Sequence, residues 1–92
     1  MKNNLYTTRD FYLAAYLLSQ NYPLAGHIKN NGLTEFQFEA SEKLNDDIEK
    51  YYGFTATTNP ITFSNAQRSL KSIIHKDTNE YTRYHSQSRK VN

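Results

Sequence analysis

The sequence predicts an α+β fold: a single small domain, α-β-β-α-α, in which one antiparallel hairpin packs on three helices. Three observations lead to this prediction. Helix-capping residues occur near Thr7 and Ser41, and between them lies a stretch of alternating apolar and polar residues. That stretch contains Asn31-Gly32, a dipeptide typical of hairpin turns. A further helical segment follows Asn59-Pro60, because proline fits the first turn of a helix.

The first predicted helix covers about residues 8–19. Thr7 and Asp10 have the spacing of a capping box, in which two side chains bond the free N–H groups of a helix start. The apolar run FYLAAYLL leaves no polar face, so we expect this helix to be buried nearly all round. One side could instead be an oligomer or partner surface, with Tyr12 and Tyr16 as its contact residues.

The hairpin has two possible registers. A two-residue Asn31-Gly32 turn would place Phe36 opposite His27 and mix apolar with polar side chains on each face. A three-residue loop of residues 30–32 gives one apolar and one polar face, which an antiparallel sheet prefers. We therefore predict the three-residue loop, with Gly32 at positive φ, Phe36 and Phe38 buried, and His27 and Glu35 exposed. The predicted pairs are Leu24 with Phe38, Gly26 with Phe36 and Ile28 with Thr34.

The second predicted helix begins after the N-cap Ser41 and ends at Gly53. Its apolar residues recur at helical spacing on one side, and a row of acidic residues lies opposite them. The inner side comprises Leu44, Ile48, Tyr51 and Tyr52. The acidic residues, which we call the acidic stripe, are Glu42, Asp46 and Glu49.

The third predicted helix runs over residues 60–75, and the chain after it is polar. Residues 77–92 have almost no aliphatic side chain, so we expect a flexible basic tail beyond a domain of residues 1–76. The residues that we expect to be most buried come from the helices and the hairpin. They are Leu18, Phe36, Phe38, Ile48, Phe63, Leu70 and Ile73.

Composition excludes several classes of site. The chain has no cysteine, which rules out disulfides and thiolate chemistry. Its longest apolar run is far shorter than the roughly 20 residues of a membrane-spanning helix, and no stretch near residue 1 has the apolar character of a signal peptide. We expect a cytoplasmic protein without a membrane partner, or one in the host cytoplasm if a phage encodes it.

Three segments in order, TTRDFYLAAYLL, a hairpin of FQF type and NAQRSLKSII, resemble a family of uncharacterised small domains of bacteria and phages. The resemblance covers residues 6–75. It implies a prokaryotic or phage setting, and it implies no catalytic residue because the family has no known activity.

Positive charge is concentrated toward the end of the chain. Residues 1–59 hold five Lys/Arg and seven Asp/Glu, a net −2, whereas residues 60–92 hold six and two, a net +4. Within the third helix Arg68, Lys71 and His75 fall within about 60° of arc, and we call them the basic stripe. The tail adds Arg83, Arg89 and Lys90, interleaved with tyrosines, as in segments that bind single strands.

Two functional hypotheses follow. The first is a nucleic-acid or nucleoprotein-binding accessory module that uses the basic stripe and the tail. The alternative is a protein-interaction module, such as a phage-encoded inhibitor or adaptor of a host protein complex, that uses the first helix or the acidic stripe. For the basic stripe we favour the simpler explanation of a solvated helix back, because two certain cations are few for a nucleic-acid surface and cations also favour the C-terminal half of a helix.

We predict no enzymatic activity, no cofactor and no metal site. The three histidines lie on a predicted strand, a helix end and the tail, without neighbours at the spacing of a triad or a metal site. Three carboxylates on one helix offer fewer oxygen ligands than calcium needs.

Overall fold

Three antiparallel strands form one sheet, and three helices complete the α+β fold that the sequence predicts. The structure is a computed structural model that describes residues 4–86, with side chains for residues 4–76. The strand order is β1-β3-β2. The elements in chain order are β1 (Leu5–Thr8), α1 (Phe11–Ser19), β2 (Leu24–Asn30), β3 (Leu33–Glu39), α2 (Glu42–Tyr52) and α3 (Pro60–Ser86).

Strand β1 is an element that the sequence analysis missed. It pairs with β3, placing Tyr6 opposite Phe38 and Thr8 opposite Phe36. The predicted helix start at residue 8 is therefore wrong. Asp10 is the N-cap of α1, and its Oδ1 accepts the backbone N–H groups of Tyr12 and Leu13. The residues before Asp10 are thus free to extend along the edge of the sheet.

The tip of the hairpin follows its turn dipeptide, and the predicted three-residue loop is wrong. Asn31 and Gly32 alone connect β2 to β3, with φ of 54° and 83°. Positive φ at both central residues is the geometry of a type I′ turn, whose twist matches that of the strands. The positive φ predicted for Gly32 is confirmed. Phe36 faces His27 and Ile28 faces Glu35, instead of Gly26 and Thr34.

The base of the hairpin follows the core pattern instead. A bulge between Leu24 and Gly26 shifts the register by one residue, so Leu24 pairs with Phe38 as predicted. Without that extra residue Leu24 would face Glu39 and point away from the core. The predicted register was the same along the whole hairpin. The bulge at Ala25 allows two registers, one set by the turn at the tip and one set by core packing at the base.

Helix α1 is the centre of the core. Its residues 13–17 and Ser19 are buried, which confirms a helix enclosed nearly all round. The Ser19 hydroxyl contacts the Tyr16 carbonyl oxygen at 2.6 Å and the Thr58 hydroxyl at 2.9 Å, so its polar atom is satisfied despite burial. Helix α3 packs mainly on α1, and α2 makes a smaller contact with α1.

The core differs from the prediction in its margin. Phe36, Phe38 and Leu70 are fully buried as predicted, and His27 is exposed as predicted while Glu35 is half-buried. The other four predicted core residues are only partly buried, and they pack against the margin of the core. They are Leu18, Ile48, Phe63 and Ile73. The large side chains outside the predicted list that are also fully buried are Leu13, Leu17 and Leu44. The first two lie in the helix predicted to be buried, and Leu44 lies on the inner side predicted for the second helix.

Helix α3 is longer than predicted, since it continues to Ser86 instead of ending near His75. Among residues 4–86, none of the helices combines the length and the apolar character that crossing a membrane requires.

Candidate functional site

Helix α2 ends in a Schellman motif with an unusual residue. The Phe54 N–H donates to the Tyr51 carbonyl at 3.2 Å, and the Thr55 N–H donates to the Lys50 carbonyl at 2.9 Å. This bond pattern requires a left-handed residue after the C-cap, and that residue is usually glycine. Gly53 is the C-cap with φ −88°, and Phe54 is the left-handed residue, with φ 62°. Gly53 therefore terminates α2 as the sequence predicts, but the left-handed residue of the motif is Phe54.

The Phe54 side chain is almost entirely in solvent, with an exposed fraction of 94%. A left-handed conformation costs a residue with a Cβ about 1–2 kcal/mol. Exposure forgoes a further ~2 kcal/mol that burying an aromatic ring would contribute. The left-handed conformation and the exposed ring both reduce the stability of the domain. Strain of this kind is concentrated at functional sites, so the surface around Phe54 is a candidate for function.

Asp10 joins the end of α2 to the start of α1. Its Oδ1 caps α1, while its Oδ2 accepts the Tyr52 hydroxyl at 3.1 Å. The Tyr12 backbone and the Tyr52 ring are thereby held on the same carboxylate. The side chains of Tyr12 and Tyr52 remain 57% and 54% exposed. We call Tyr12, Tyr52 and Phe54 the aromatic surface.

Buried and half-buried rings support this surface from below. Tyr51 lies 5.2 Å from Tyr52 between ring centroids, edge to face, and 5.6 Å from Tyr16. Phe11 meets Tyr12 edge to face at 5.2 Å. Burial, followed by the charge of Asp10, raises the pKa of Tyr51. Burial also raises the pKa of Tyr52, with a further contribution from its hydrogen bond to Asp10. The hydroxyls therefore stay protonated at neutral pH.

The acidic stripe is exposed along its whole length, at Glu42, Asp46 and Glu49. The two lysines of α2 point to its other flank. The Lys43 Nζ lies 5.3 Å from the centroid of the Tyr22 ring, and the Lys50 Nζ lies 4.0 Å from Asp47 Oδ1. An open depression of about 380 Å³ adjoins the stripe and is lined by Asp46, Glu49, Lys50 and Thr55.

Tyr22 and Asp47 anchor α2 to the chain after α1. The Tyr22 hydroxyl donates to Asp47 Oδ2 at 2.6 Å. Burial raises the pKa of Tyr22 well above its usual range, and the hydrogen bond to the Asp47 carboxylate raises that pKa further.

The basic stripe lies on the exposed side of α3, where the sequence predicts it. Arg68, Lys71 and His75 are all exposed, and Arg68 Nη1 donates to Asn65 Oδ1 at 3.3 Å. Arg83 lies in α3, but its side chain falls outside the described part of the chain. Arg89 and Lys90 also fall outside the described residues. The structure thus brings together the helical part of the predicted nucleic-acid surface.

Of the residues predicted for a protein-interaction surface, four are exposed and one is buried. Tyr12 is exposed, but Tyr16 is a core residue with an exposed fraction of 4% and cannot contact a partner directly. Burial raises the pKa of Tyr16, and the charge of Asp47 raises it further. An apolar helix with two tyrosines does not reveal which ring faces outward; the structure decides it, because Tyr16 packs on Tyr51.

Further exposed apolar side chains lie on the sheet face opposite the core. Leu5, Ile28 and Leu33 are each about half exposed there. An ion pair between Arg9 Nη2 and Glu35 Oε2, at 3.1 Å, borders this face.

The predicted place of Tyr52 on the inner side of the second helix is wrong, since Tyr52 is 54% exposed, and Phe54 was not predicted as a surface residue. The segment Tyr51-Tyr52-Gly53-Phe54 contains the available indication, because three aromatic residues at a helix end exceed what one core position can bury. Among the described side chains, no three histidines or carboxylates gather in a way that could hold a metal ion.

Residues 3–76 match a family described as a domain of unknown function, DUF5659. Comparisons with curated proteins and with solved structures give no match.

Proposed function

The chain belongs to the DUF5659 family of domains of unknown function, and within that family we propose that it is a non-catalytic protein-binding module. The contact region in this proposal is the aromatic surface of Tyr12, Tyr52 and Phe54. An inhibitor or adaptor acting on a larger protein complex is the form of activity that fits a domain of this size.

The observation that supports the proposal best is Phe54, held in a left-handed conformation with its ring in solvent. Aromatic residues are enriched in the centres of protein interfaces, where burial of each ring contributes strongly to affinity. The hydrogen bond from Tyr52 to Asp10 and the ring contacts of Tyr51 fix the neighbouring rings before a partner arrives. A preorganised surface loses less conformational entropy on binding.

Site-specific photo-crosslinking tests this function, in cells of the organism in which the protein is naturally produced. A benzophenone amino acid replaces Phe54 in one variant and Ile61 in a matched control. Ile61 is 70% exposed, lies in the first turn of α3 and is not part of the aromatic surface. We expect one discrete protein adduct from position 54, none of equal intensity from position 61, and loss of the adduct when Tyr12→Ser is added.

Absence of an adduct at position 54, or identical adducts at both positions, would contradict the proposal. The added Tyr12→Ser change distinguishes a specific interface from random collision, since Tyr12 is exposed and its replacement leaves the core intact.

Nucleic-acid binding is the second candidate, and it is supported by the exposure of the whole basic stripe. Cations in a row on one helix face suit phosphate contacts, which position a protein without reading sequence. The test is fluorescence anisotropy with random single- and double-stranded DNA and RNA at two salt concentrations.

For this second candidate, Arg68→Glu should weaken binding and reduce the slope of log affinity against log salt by about one. Lys29→Glu is the matched control, because Lys29 is exposed on β2 and the charge change is the same. If the wild-type protein binds none of the four nucleic acids at low salt, the second candidate is excluded.

A further inference from the structure

The acidic stripe lies beside the aromatic surface and not across the helix from it. At 100° per residue, the centre of the stripe is about 90° from Tyr52 around the α2 axis. The lysines of α2 lie on the opposite flank of the stripe, where they are engaged by the Tyr22 ring and by Asp47. A partner seated on the aromatic surface would therefore meet carboxylates at its border.

Resting on the proposed function, we infer that the partner segment is a basic polypeptide that presents arginine together with apolar side chains. The apolar side chains cover Tyr12 and Phe54, and the arginines reach the carboxylates of Glu42, Asp46 and Glu49. The open depression lined by Asp46, Glu49, Lys50 and Thr55 receives one guanidinium group at its two carboxylates. The Lys50 ammonium at its wall already has Asp47 as a partner, at 4.0 Å.

Arginine fits this surface better than lysine for two reasons. The planar guanidinium group bonds a carboxylate through two parallel N–H groups, and it also stacks on the face of an aromatic ring. Glu49 and Tyr52 are three residues apart on α2 and both are exposed, so they are neighbours on the helix surface and one arginine can contact both.

A second copy of this chain fits the surface less well, although its basic stripe has the complementary charge. Helix α1 contacts both α2 and α3, whereas α2 and α3 share no extensive contact in the described part of the chain, so the two stripes lie on helices that do not pack side by side. A closed two-fold dimer needs both stripes on the same interface. Pairing them between copies would give an open chain of molecules instead of a dimer.

Fluorescently labelled synthetic peptides test the inference. The probe is a short peptide of alternating arginine and serine with a central leucine, and its matched versions carry lysine or glutamate in place of arginine. We expect the arginine peptide to bind more tightly than the lysine peptide, and the glutamate peptide not to bind. Amide chemical shifts should change at Glu49, Tyr52 and Phe54 and not along α3.

Neutralising the stripe with Glu42→Gln, Asp46→Asn and Glu49→Gln should weaken binding of the arginine peptide about ten-fold or more, since exposed charge pairs contribute modestly but add up. The matched control Arg68→Gln with Lys71→Gln should leave the affinity unchanged. Thermal melting of each variant verifies that the domain is folded.

The outcomes separate this inference from the proposed function. If the arginine and glutamate peptides bind equally, or if the neutralised variant keeps the full Phe54 adduct in cells, the inference of a basic partner is overturned while the protein-binding function stands. If the wild type gives no adduct at Phe54, the proposed function itself fails. Self-association that Arg68→Gln with Lys71→Gln abolishes would identify a second copy as the occupant and overturn the inference.

Discussion

At the scale of single residues, we expect Phe54 to contribute to partner binding and not to the stability of the domain. Glycine has no Cβ and adopts φ of 62° without strain, and the exposed Phe54 ring contributes almost no burial. We therefore expect Phe54→Gly to leave the domain as stable as before or to stabilise it by up to about 1 kcal/mol. The same change should abolish partner binding. Urea unfolding measures the first effect.

Gly53→Ala is the control for this prediction. Gly53 has an ordinary φ of −88°, and a new Cβ would lie 3.1 Å from the Glu49 carbonyl oxygen. We expect a small loss of stability there, not a gain. If Phe54→Gly destabilised the domain by more than about 1 kcal/mol, the strain assigned to Phe54 would be wrong.

The tyrosines make the domain sensitive to alkaline pH. Burial raises the pKa of Tyr22, Tyr51 and Tyr52 in the folded state. Above about pH 10 the unfolded chain loses these protons while the folded chain retains them, so the free energy of unfolding falls as pH rises. Below that pH the contribution is fully present. Urea titrations at a series of alkaline pH values measure the slope.

Tyr22→Phe should reduce that slope and cost about 1–2 kcal/mol at neutral pH, because the Tyr22 hydroxyl donates to the charged Asp47 carboxylate. Asp47→Asn keeps an acceptor and removes the charge, so it should lower the pKa of Tyr22 toward its usual value. A slope unchanged in both variants would show that Tyr22 does not contribute to the alkaline transition.

At the scale of elements, α3 is held on α1 by residues of unequal burial. Leu70 is fully buried, whereas Ile73 is only partly buried against the core. Leu70→Ala should therefore destabilise the domain by about 2–5 kcal/mol, and Ile73→Ala by less. Chemical denaturation of both variants measures the difference. Equal losses at the two positions would mean that α3 packs on α1 with a different face.

The elements that the sequence predicts correctly are those with a local physical cause. Ser41 caps α2 through its contact with the Leu44 N–H, and Asn59 caps α3 through Ile61 and Thr62. Strand β1 has only four residues, and its partner β3 is distant in sequence, so no local pattern reveals it. The sequence places the acidic and basic stripes by helical periodicity alone. The aromatic surface depends on which rings α1 and α2 bury against each other, which periodicity does not determine.

At the scale of the whole molecule, α3 is much longer than the helix on which it packs. With 27 residues it extends about 40 Å, against about 13 Å for the nine residues of α1. Packing on α1 can therefore involve only part of α3, and the family match also ends at residue 76. The boundary of the domain at residue 76 and the flexibility of residues 77–92 stay predictions.

Truncation after residue 76 tests that boundary. We expect the melting temperature to change little, because Ala66 and Leu70, the buried residues among the described side chains of α3, precede the cut. Scanning calorimetry of the full chain and the truncated chain measures the effect. A large drop would show that the removed part of α3 packs on the domain or on a second subunit.

The extra residue at Ala25 has an evolutionary consequence. It uncouples the tip of the hairpin from its base, so that changes in the turn need not move Leu24 or Phe38 out of the core. Between the His27–Phe36 pair and the turn, residues 28–35 include no fully buried side chain. Insertions, deletions and sequence drift can therefore accumulate at this tip while the domain remains folded, which makes it the natural position for grafting a foreign loop or a reporter tag.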